Sequence, residues 1–239
     1  MLKTWDGTKP GSLAQGGGRF WYNTRLMKDK KPVYEITFLR HGESVGNANG
    51  YFQGQSDFPL TQAGVSQAQA LSQRWVEEKV KFDLIVASPL SRARQTAEII
   101  ASALNAPVEL DEMWMERDNG SLAGLKFEEG RKKYPQPDFS NIYQPFAETG
   151  EGDWELYLRA GHAVHKLLSR PAGRLLVVTH GGLLNQVMYT IMGITPQANY
   201  SGTRFRFENT GFAVFVYYPN EHRWQVDTIN DHSHWKPGK

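Results

Sequence analysis

Two histidines, two arginines and a carboxylate are spaced so that one sheet could gather them. Arg40-His41-Gly42 and Thr179-His180-Gly181-Gly182 each continue a run of aliphatic and β-branched residues, and Ser88-Pro89-Leu90-Ser91-Arg92 continues a third. A phosphate monoester would need such a set. Arg40 and Arg92 each offer a planar fork to phosphate oxygens. Arg92 falls in the first turn of an expected helix, where orphan N–H groups and the helix dipole also favour an anion. Gly42, Gly181 and Gly182 would let backbone approach a ligand closely.

A histidine attacks phosphorus only through an uncharged nitrogen, and its ordinary pKa is about 6.5. Neighbouring guanidinium charges disfavour the imidazolium and keep His41 reactive. Forming a phosphohistidine splits one hydrolysis into two easier displacements. His180, donating a hydrogen bond to the phosphoryl group, would help spread the developing charge. The leaving oxygen needs a proton, which a nearby carboxylic acid can supply and later recover from water. Glu116 is the first candidate, with Asp118 and Glu112 as alternatives.

These residues need a frame. Tyr34 to Leu39 reads as a strand ending in a functional loop. Thr61 caps a helix that runs to Lys79. Phe82 to Ala87 has the continuous apolar character of a buried parallel strand. Ser88 reads as the cap and Pro89 as the first turn of the next helix, whose apolar stripe is Leu90, Ala93, Ala97, Ile100 and Leu104. A short strand is expected near Val108–Leu110. Residues 118–150 read as irregular, with a short helix at Phe127–Tyr134. A helix over Trp154–Leu168, a strand over Leu175–Thr179 and a helix over Gly182–Met192 follow. Thr203–Glu208, Ala213–Tyr218 and Trp224–Thr228 alternate as strands do, the last two joined by a turn at Pro219–His222. The alternation implies an α/β three-layer sandwich, a mostly parallel central sheet with helices on both faces. Ligands of such sheets sit beyond the carboxyl ends of the strands. His41, His180 and Arg92 are therefore expected on one rim.

Composition narrows the classes. The 239 residues include no cysteine, so disulfides and thiolate metal sites are excluded. A cysteine-free chain fits a cytoplasmic setting. No leading apolar run reads as a signal peptide and no stretch has transmembrane length, so no membrane partner is expected. The net charge of +2 hides an asymmetry, +5 over residues 1–32 and −3 over the rest. Residues 1–32 read as a basic N-terminal arm and 33–239 as the catalytic domain. Phe20-Trp21-Tyr22 should dock, either on the arm's own domain or on a second subunit of a homo-oligomer. Trp21 and Tyr22 near Arg19, Arg25 and Lys28 could stack nucleic-acid bases, but packing against protein is the preferred reading and no nucleic acid is expected. His162 and His165 read as surface helix residues, and His232 and His234 as part of a mobile tail.

The motifs together resemble a known family. Arg40-His41-Gly42-Glu43-Ser44, with Asn47 shortly after, is similar to the signature of the histidine phosphatase superfamily, in its phosphoglycerate-mutase-like branch. Phe52 to Thr61, Gly64, Ser88 to Ala97, Glu116 with Gly120 and Gly124, and Val178 to Gly182 continue the likeness over about residues 34–230. The resemblance implies a phosphohistidine at His41 and a phosphate clamp of Arg40, Arg92 and His180, with Asn47 and the Gly181 N–H as lesser donors. It implies Glu116 as proton donor and places Gln53 and Gly54 in a substrate-contacting loop. No metal and no cofactor are expected.

That likeness leaves three functions to separate. The preferred one is a metal-independent phosphatase acting on small phosphorylated metabolites. A cofactor-dependent phosphoglycerate mutase is the alternative, but the span from Glu116 to His180 is short for the basic and aromatic insert of mutase relatives. Arg131-Lys132-Lys133, the nearest basic cluster, reads as a solvated helix face. A catalytically silent phosphate-binding protein is the third, and the complete set of His41, Arg40, Arg92, His180 and Glu116 argues against it.

Overall fold

Strand β1 (Tyr34–Arg40) has side chains for two cores. Tyr34, Ile36 and Phe38 face one layer and Leu39 the other, as the two-residue period of a strand dictates. The computed structural model describes residues 32–145 and 147–235. The basic arm, Pro32 apart, and its aromatic triplet lie outside the described residues. The order continues with α1 (Val45–Ala48), α2 (Gln62–Glu77), β2 (Leu84–Ala87), α3 (Ser91–Leu104), β3 (Val108–Leu110), α4 (Phe127–Lys133), α5 (Asp153–Leu168), β4 (Arg174–Thr179), α6 (Gly181–Met192), β5 (Phe212–Tyr218) and β6 (Arg223–Asp231).

The sheet order is β3-β2-β4-β1-β5-β6. The first four strands are parallel, and β5 and β6 run antiparallel at one edge. Helices α5 and α6 cover one face, packing Leu156, Ala160, Leu167, Leu183 and Val187 on Phe38, Val86, Val177 and Phe215. Helices α2 and α3 cover the other, packing Leu71, Trp75, Ala93, Ala97 and Ile100 on Leu39, Ile85, Leu176 and Val178. The three-layer sandwich expected from the sequence is the fold observed. Each fully buried large aliphatic or aromatic side chain in these layers contributes about 1.5–3 kcal/mol relative to exposure.

Local chemistry explains most boundaries. Thr61 caps α2 as expected, its Oγ1 accepting the Gly64 N–H at 3.0 Å. Ser44 closes a capping box with Asn47 that starts α1, a helix the sequence reading passed over.

Three expectations need correction. Helix α3 starts at Ser91, not after Ser88. Leu90 is extended rather than helical, and Asp57 caps the helix from a distance, accepting the Ser91 N–H at 2.7 Å and its hydroxyl at 2.6 Å. Residues 203–208 form no strand. Side chains replace the ladder there: Asn185 accepts the Phe205 N–H and donates to the Phe205 carbonyl, and Arg40 donates to the Phe207 carbonyl. Nor is the segment holding His232 and His234 loose. It follows β6 as a turn, an Arg74–Asp231 ion pair of 2.8 Å secures its start, and His234 bonds Thr210 at 2.9 Å.

Candidate active site

Parallel register brings the two histidines together. Arg40 pairs with Thr179 across β1 and β4, so the next residues, His41 and His180, leave the sheet side by side. The His41 N–H donates to the Thr179 carbonyl at 2.9 Å, and the ring centroids are 5.1 Å apart. Pairing of Ala87 with Val178 sets Ser88 beside the same rim.

The tautomer of His41 follows from its partner. Nδ1 lies 2.6 Å from the Gly42 carbonyl, which can only accept, so Nδ1 carries the proton and Nε2 the lone pair. Burial holds the imidazole pKa well below 6.5, and the Arg92 and Arg40 charges act in the same direction. Desolvation is thus a larger cause than the guanidinium charges expected from the sequence.

His180 is fixed at both nitrogens. Arg92 Nε donates to Nδ1 at 3.2 Å, so the ring proton sits on Nε2, which donates to Ser88 Oγ at 2.8 Å. Burial, then Arg92, His41 and Arg40, hold His180 well below 6.5 as well. Its one N–H is thus engaged by Ser88 rather than free for a phosphoryl oxygen.

Arg92 is buried and positioned on every side. Nη2 donates to the Gly54 carbonyl at 2.6 Å and Nη1 to the Ser56 carbonyl at 3.0 Å. Burial pulls its pKa to about 10, which leaves it charged at neutral pH. Arg40 Nη1 donates to the Phe207 carbonyl at 2.7 Å, while its buried Nε has no partner among the described residues. A buried guanidinium N–H without an acceptor is costly, and an anion would satisfy it.

Glu116 occupies the start of α6. Its Oε2 accepts the Gly182 N–H at 3.0 Å, and its Oε1 accepts those of Leu183 at 3.0 Å and Arg117 at 2.8 Å. A Cβ on Gly182 would lie 2.5 Å from Glu116 Oε1, so this glycine admits the carboxylate rather than a ligand. Gly42 is small for a similar reason: its Cβ would meet the Gly64 carbonyl at 2.6 Å. Only Gly181 has room, its nearest neighbour being Arg40 Nε at 3.6 Å.

A cavity of about 310 Å³ collects these groups. Of the residues expected from the sequence, Arg40, His41, Asn47, Gln53, Arg92, Glu116 and Gly181 line it. His180 stands directly behind, and Gly54 contributes the carbonyl that holds Arg92. Asn47 Oδ1 accepts the Ser44 N–H at 3.2 Å and Gln53 Oε1 accepts the Ser44 hydroxyl at 2.6 Å, which leaves their amide N–H groups for a ligand. Asp118 and Glu112 do not line the cavity; Asp118 Oδ1 accepts the Gly120 N–H.

Several participants escaped the sequence reading. Asn185, Phe205, Arg206 and Phe207 complete the wall. Asn185 was the readable one, a polar residue among the apolar positions of α6. Arg159 was not, because on an amphipathic helix it resembles any surface charge. It donates to the Met113, Met115 and Glu116 carbonyls and pairs with Glu151 at 2.7 Å, and so anchors the loop that carries Glu116. Arg117 pairs with Asp153 beside it. The described residues include no group of three or more His, Asp or Glu able to hold a metal ion, and no helix long and apolar enough to cross a membrane.

Comparison with known proteins fits this geometry. Residues 36–232 match the histidine phosphatase superfamily (branch 1). The chain is 35% identical over 204 residues to an uncharacterized phosphatase, PhoE, of Bacillus subtilis, covering 83% of this chain and 95% of that one. It is 32% identical to a metal-independent phosphoserine phosphatase of Arabidopsis thaliana, covering 87% and 86% of the two chains. It is 30% identical to a probable phosphoglycerate mutase, GpmB, of Yersinia enterocolitica, covering 84% and 95%. Among solved structures, YhfR of Bacillus stearothermophilus superposes with a TM-score of 0.73 at 28% identity, covering 84% and 98%.

Proposed function

The chain belongs to the histidine phosphatase superfamily, and from that membership we propose that it hydrolyses small phosphorylated metabolites through a phosphohistidine at His41. The observation that carries the proposal is the state of the His41 ring. It is buried, locked with its proton on Nδ1, and turned into a cavity shared with Arg40, Arg92 and Glu116.

The steps follow from the positions. Arg40 and Arg92, with the Asn47 amide and the Gly181 N–H, hold the phosphoryl oxygens. His41 Nε2 attacks phosphorus as the ester oxygen leaves. Glu116 protonates that oxygen; the proton enters with the substrate, since a phosphomonoester titrates near pH ~6. Glu116 then takes a proton from water, which displaces phosphate from His41. His180 holds Arg92. The direct donation to a phosphoryl oxygen expected from the sequence would require its Nε2–H to leave Ser88. The positive charge for these steps comes from the guanidiniums, so no metal or cofactor is called on.

A cavity of about 310 Å³ lies at the small end of ligand pockets, which suits a metabolite rather than a folded phosphoprotein. Phosphoserine, named for one relative, and phosphoglycerates are the first substrates to test. Mutase relatives make mutase activity the second reading. Against it, Arg131, Lys132 and Lys133 lie exposed on α4 and none lines the cavity, so that cluster offers no clamp for a substrate carboxylate. The proposal places the enzyme in the cytoplasm with a small-molecule partner and neither nucleic acid nor membrane. It keeps residues 1–32 as a separate basic arm before the catalytic domain.

A phosphate-release screen over a panel of monoesters, with His41→Ala as control, tests the proposal. Release that needs no bisphosphoglycerate, together with acid-labile phosphate on His41, is the expected result. Interconversion of 2- and 3-phosphoglycerate faster than release would replace phosphatase by mutase.

A further inference from the structure

A stretch remote in sequence, Phe207 to Gly211, grips the backbone that carries His41. Gly211 O accepts the Arg40 N–H at 3.1 Å, and Phe207 O accepts Arg40 Nη1 at 2.7 Å. Between them, the Thr210 N–H donates to the carbonyls of Arg40 at 3.1 Å and His41 at 3.3 Å. Asn209 Nδ2 donates to the His41 carbonyl at 3.1 Å and to Asn47 Oδ1 at 3.3 Å. The His41 carbonyl therefore receives two donors from this stretch.

Thr210 adopts a φ of 55° and is fully buried. A β-branched residue in the left-handed region is strained, and such a conformation persists only where its surroundings over-determine it. Here the surroundings include the C-terminal segment. Thr210 Oγ1 gives its one hydrogen to the Asn209 carbonyl at 2.7 Å, so His234 Nε2, 2.9 Å away, must be the donor to Thr210. Arg74 secures that segment through Asp231 at 2.8 Å and Ser233 Oγ at 3.1 Å.

We propose that Asn209 and Thr210 are positioning residues for the His41 nucleophile, and that His234 locks them in place. The inference rests on the proposed attack by His41. The ring's own anchor is a backbone carbonyl, that of Gly42, so Nε2 goes where the peptides of residues 41 and 42 go. Whatever fixes the His41 carbonyl fixes the direction of attack. A misplacement of about 1 Å can cost about a hundredfold in rate.

The test uses full-length protein with p-nitrophenyl phosphate. Thr210→Val keeps the branched shape and loses the hydroxyl; Thr210→Ser keeps the hydroxyl. His234→Leu loses the donor; His234→Gln keeps one. Asn209→Ala, at a half-buried position, provides a variant outside the core. The Val, Leu and Ala variants should lose about tenfold or more in kcat with KM within about twofold. The Ser and Gln variants should recover most of the lost turnover. Wild-type kcat in folded Thr210→Val, His234→Leu and Asn209→Ala would overturn the proposal, as would losses matched by the unfolded fraction and not rescued. A wild-type enzyme that released no phosphate and trapped none on His41 would instead sink the functional reading. In that event the imidazole ¹⁵N–¹H spectrum decides the inference: the His41 Nδ1–H resonance should be sharp in wild type and broadened or lost in Asn209→Ala and His234→Leu. An unchanged resonance in those variants would overturn the inference by itself.

Discussion

Ser88 Oγ lies 2.8 Å from His180 Nε2, and that contact turns His180 toward Arg92. With its proton directed at Ser88, the ring can only accept from Arg92 Nε, and so it braces the guanidinium in the cavity wall. Ser88→Ala leaves a buried N–H without a partner. It should destabilise the fold by about 1–3 kcal/mol in urea titrations. It should also raise KM for phosphate esters as Arg92 loses its support. A variant with wild-type stability and KM would mean that Ser88 does not set this arrangement.

Replacing His41 by alanine should abolish acid-labile phosphate on the enzyme and lower kcat by about a thousandfold or more, since the covalent route is then closed. Rapid-quench labelling with a ³²P-monoester reads both effects. The variant should keep its fold, because no ion pair among the described residues depends on the ring.

Glu116→Gln separates the two displacements. A p-nitrophenolate departs without a proton, so phosphorylation of His41 should stay fast with that ester. Hydrolysis of the phosphohistidine lacks its base and should slow by about 10²–10⁴-fold. Phosphoenzyme should therefore accumulate with p-nitrophenyl phosphate but not with an alkyl phosphate. Unchanged phosphorylation of His41 by the alkyl ester, together with unchanged phosphohistidine hydrolysis, would remove Glu116 from the proton transfers.

Acid should weaken the fold for a reason visible in the signs. His41 and His180 are held well below 6.5 in the folded chain, by burial first and by arginine charge second. His234 is held at about 4, again by burial first. The unfolded chain therefore binds more protons once the pH drops below the ordinary histidine value of 6.5, and stability falls with pH from there. Asp231 adds a second loss. Burial pushes its pKa up, but hydrogen bonds from Arg74 and Ser233 outweigh that and hold it at about 2, against 3.8 unfolded. Its contribution is present above 3.8 and disappears as the pH falls towards 2. Denaturant titrations between pH 8 and 3 should show a flat region above about pH 6.5 and a steady decline below it. The acid limb of kcat/KM assigned to His41 should lie below 6.5.

Trp75→Ala probes the layer opposite α5 and α6. The indole is 1% exposed and packs edge-on against Phe82 and Phe212, with centroids 5.2 and 5.3 Å away. The loss should be about 3–5 kcal/mol in unfolding free energy. KM should change little in the folded fraction, because Trp75 does not line the cavity.

The sequence by itself determined the layers and most of the site. The β-branched and aromatic run Tyr34–Leu39 and the near-continuous apolar runs Phe82–Ala87 and Leu175–Thr179 mark three strands, because such segments have few other uses at this length. Each run leads straight into Arg40-His41, Ser88 or His180, so the rim could be read from local pattern alone. Only the tertiary structure decided what depends on partners far away in the chain. The tautomers of His41 and His180 are set by Gly42 and Ser88. The start of α3 is set by Asp57, and the extended run at 203–208 is held by Asn185 and Arg40. The brace on Glu116 comes from Arg159, and the grip on His41 from Asn209 and Thr210. Periodicity reports which face of an element is buried. It carries no information about which distant donor or acceptor meets a given polar atom, and in this molecule such meetings set the protons and aim the nucleophile.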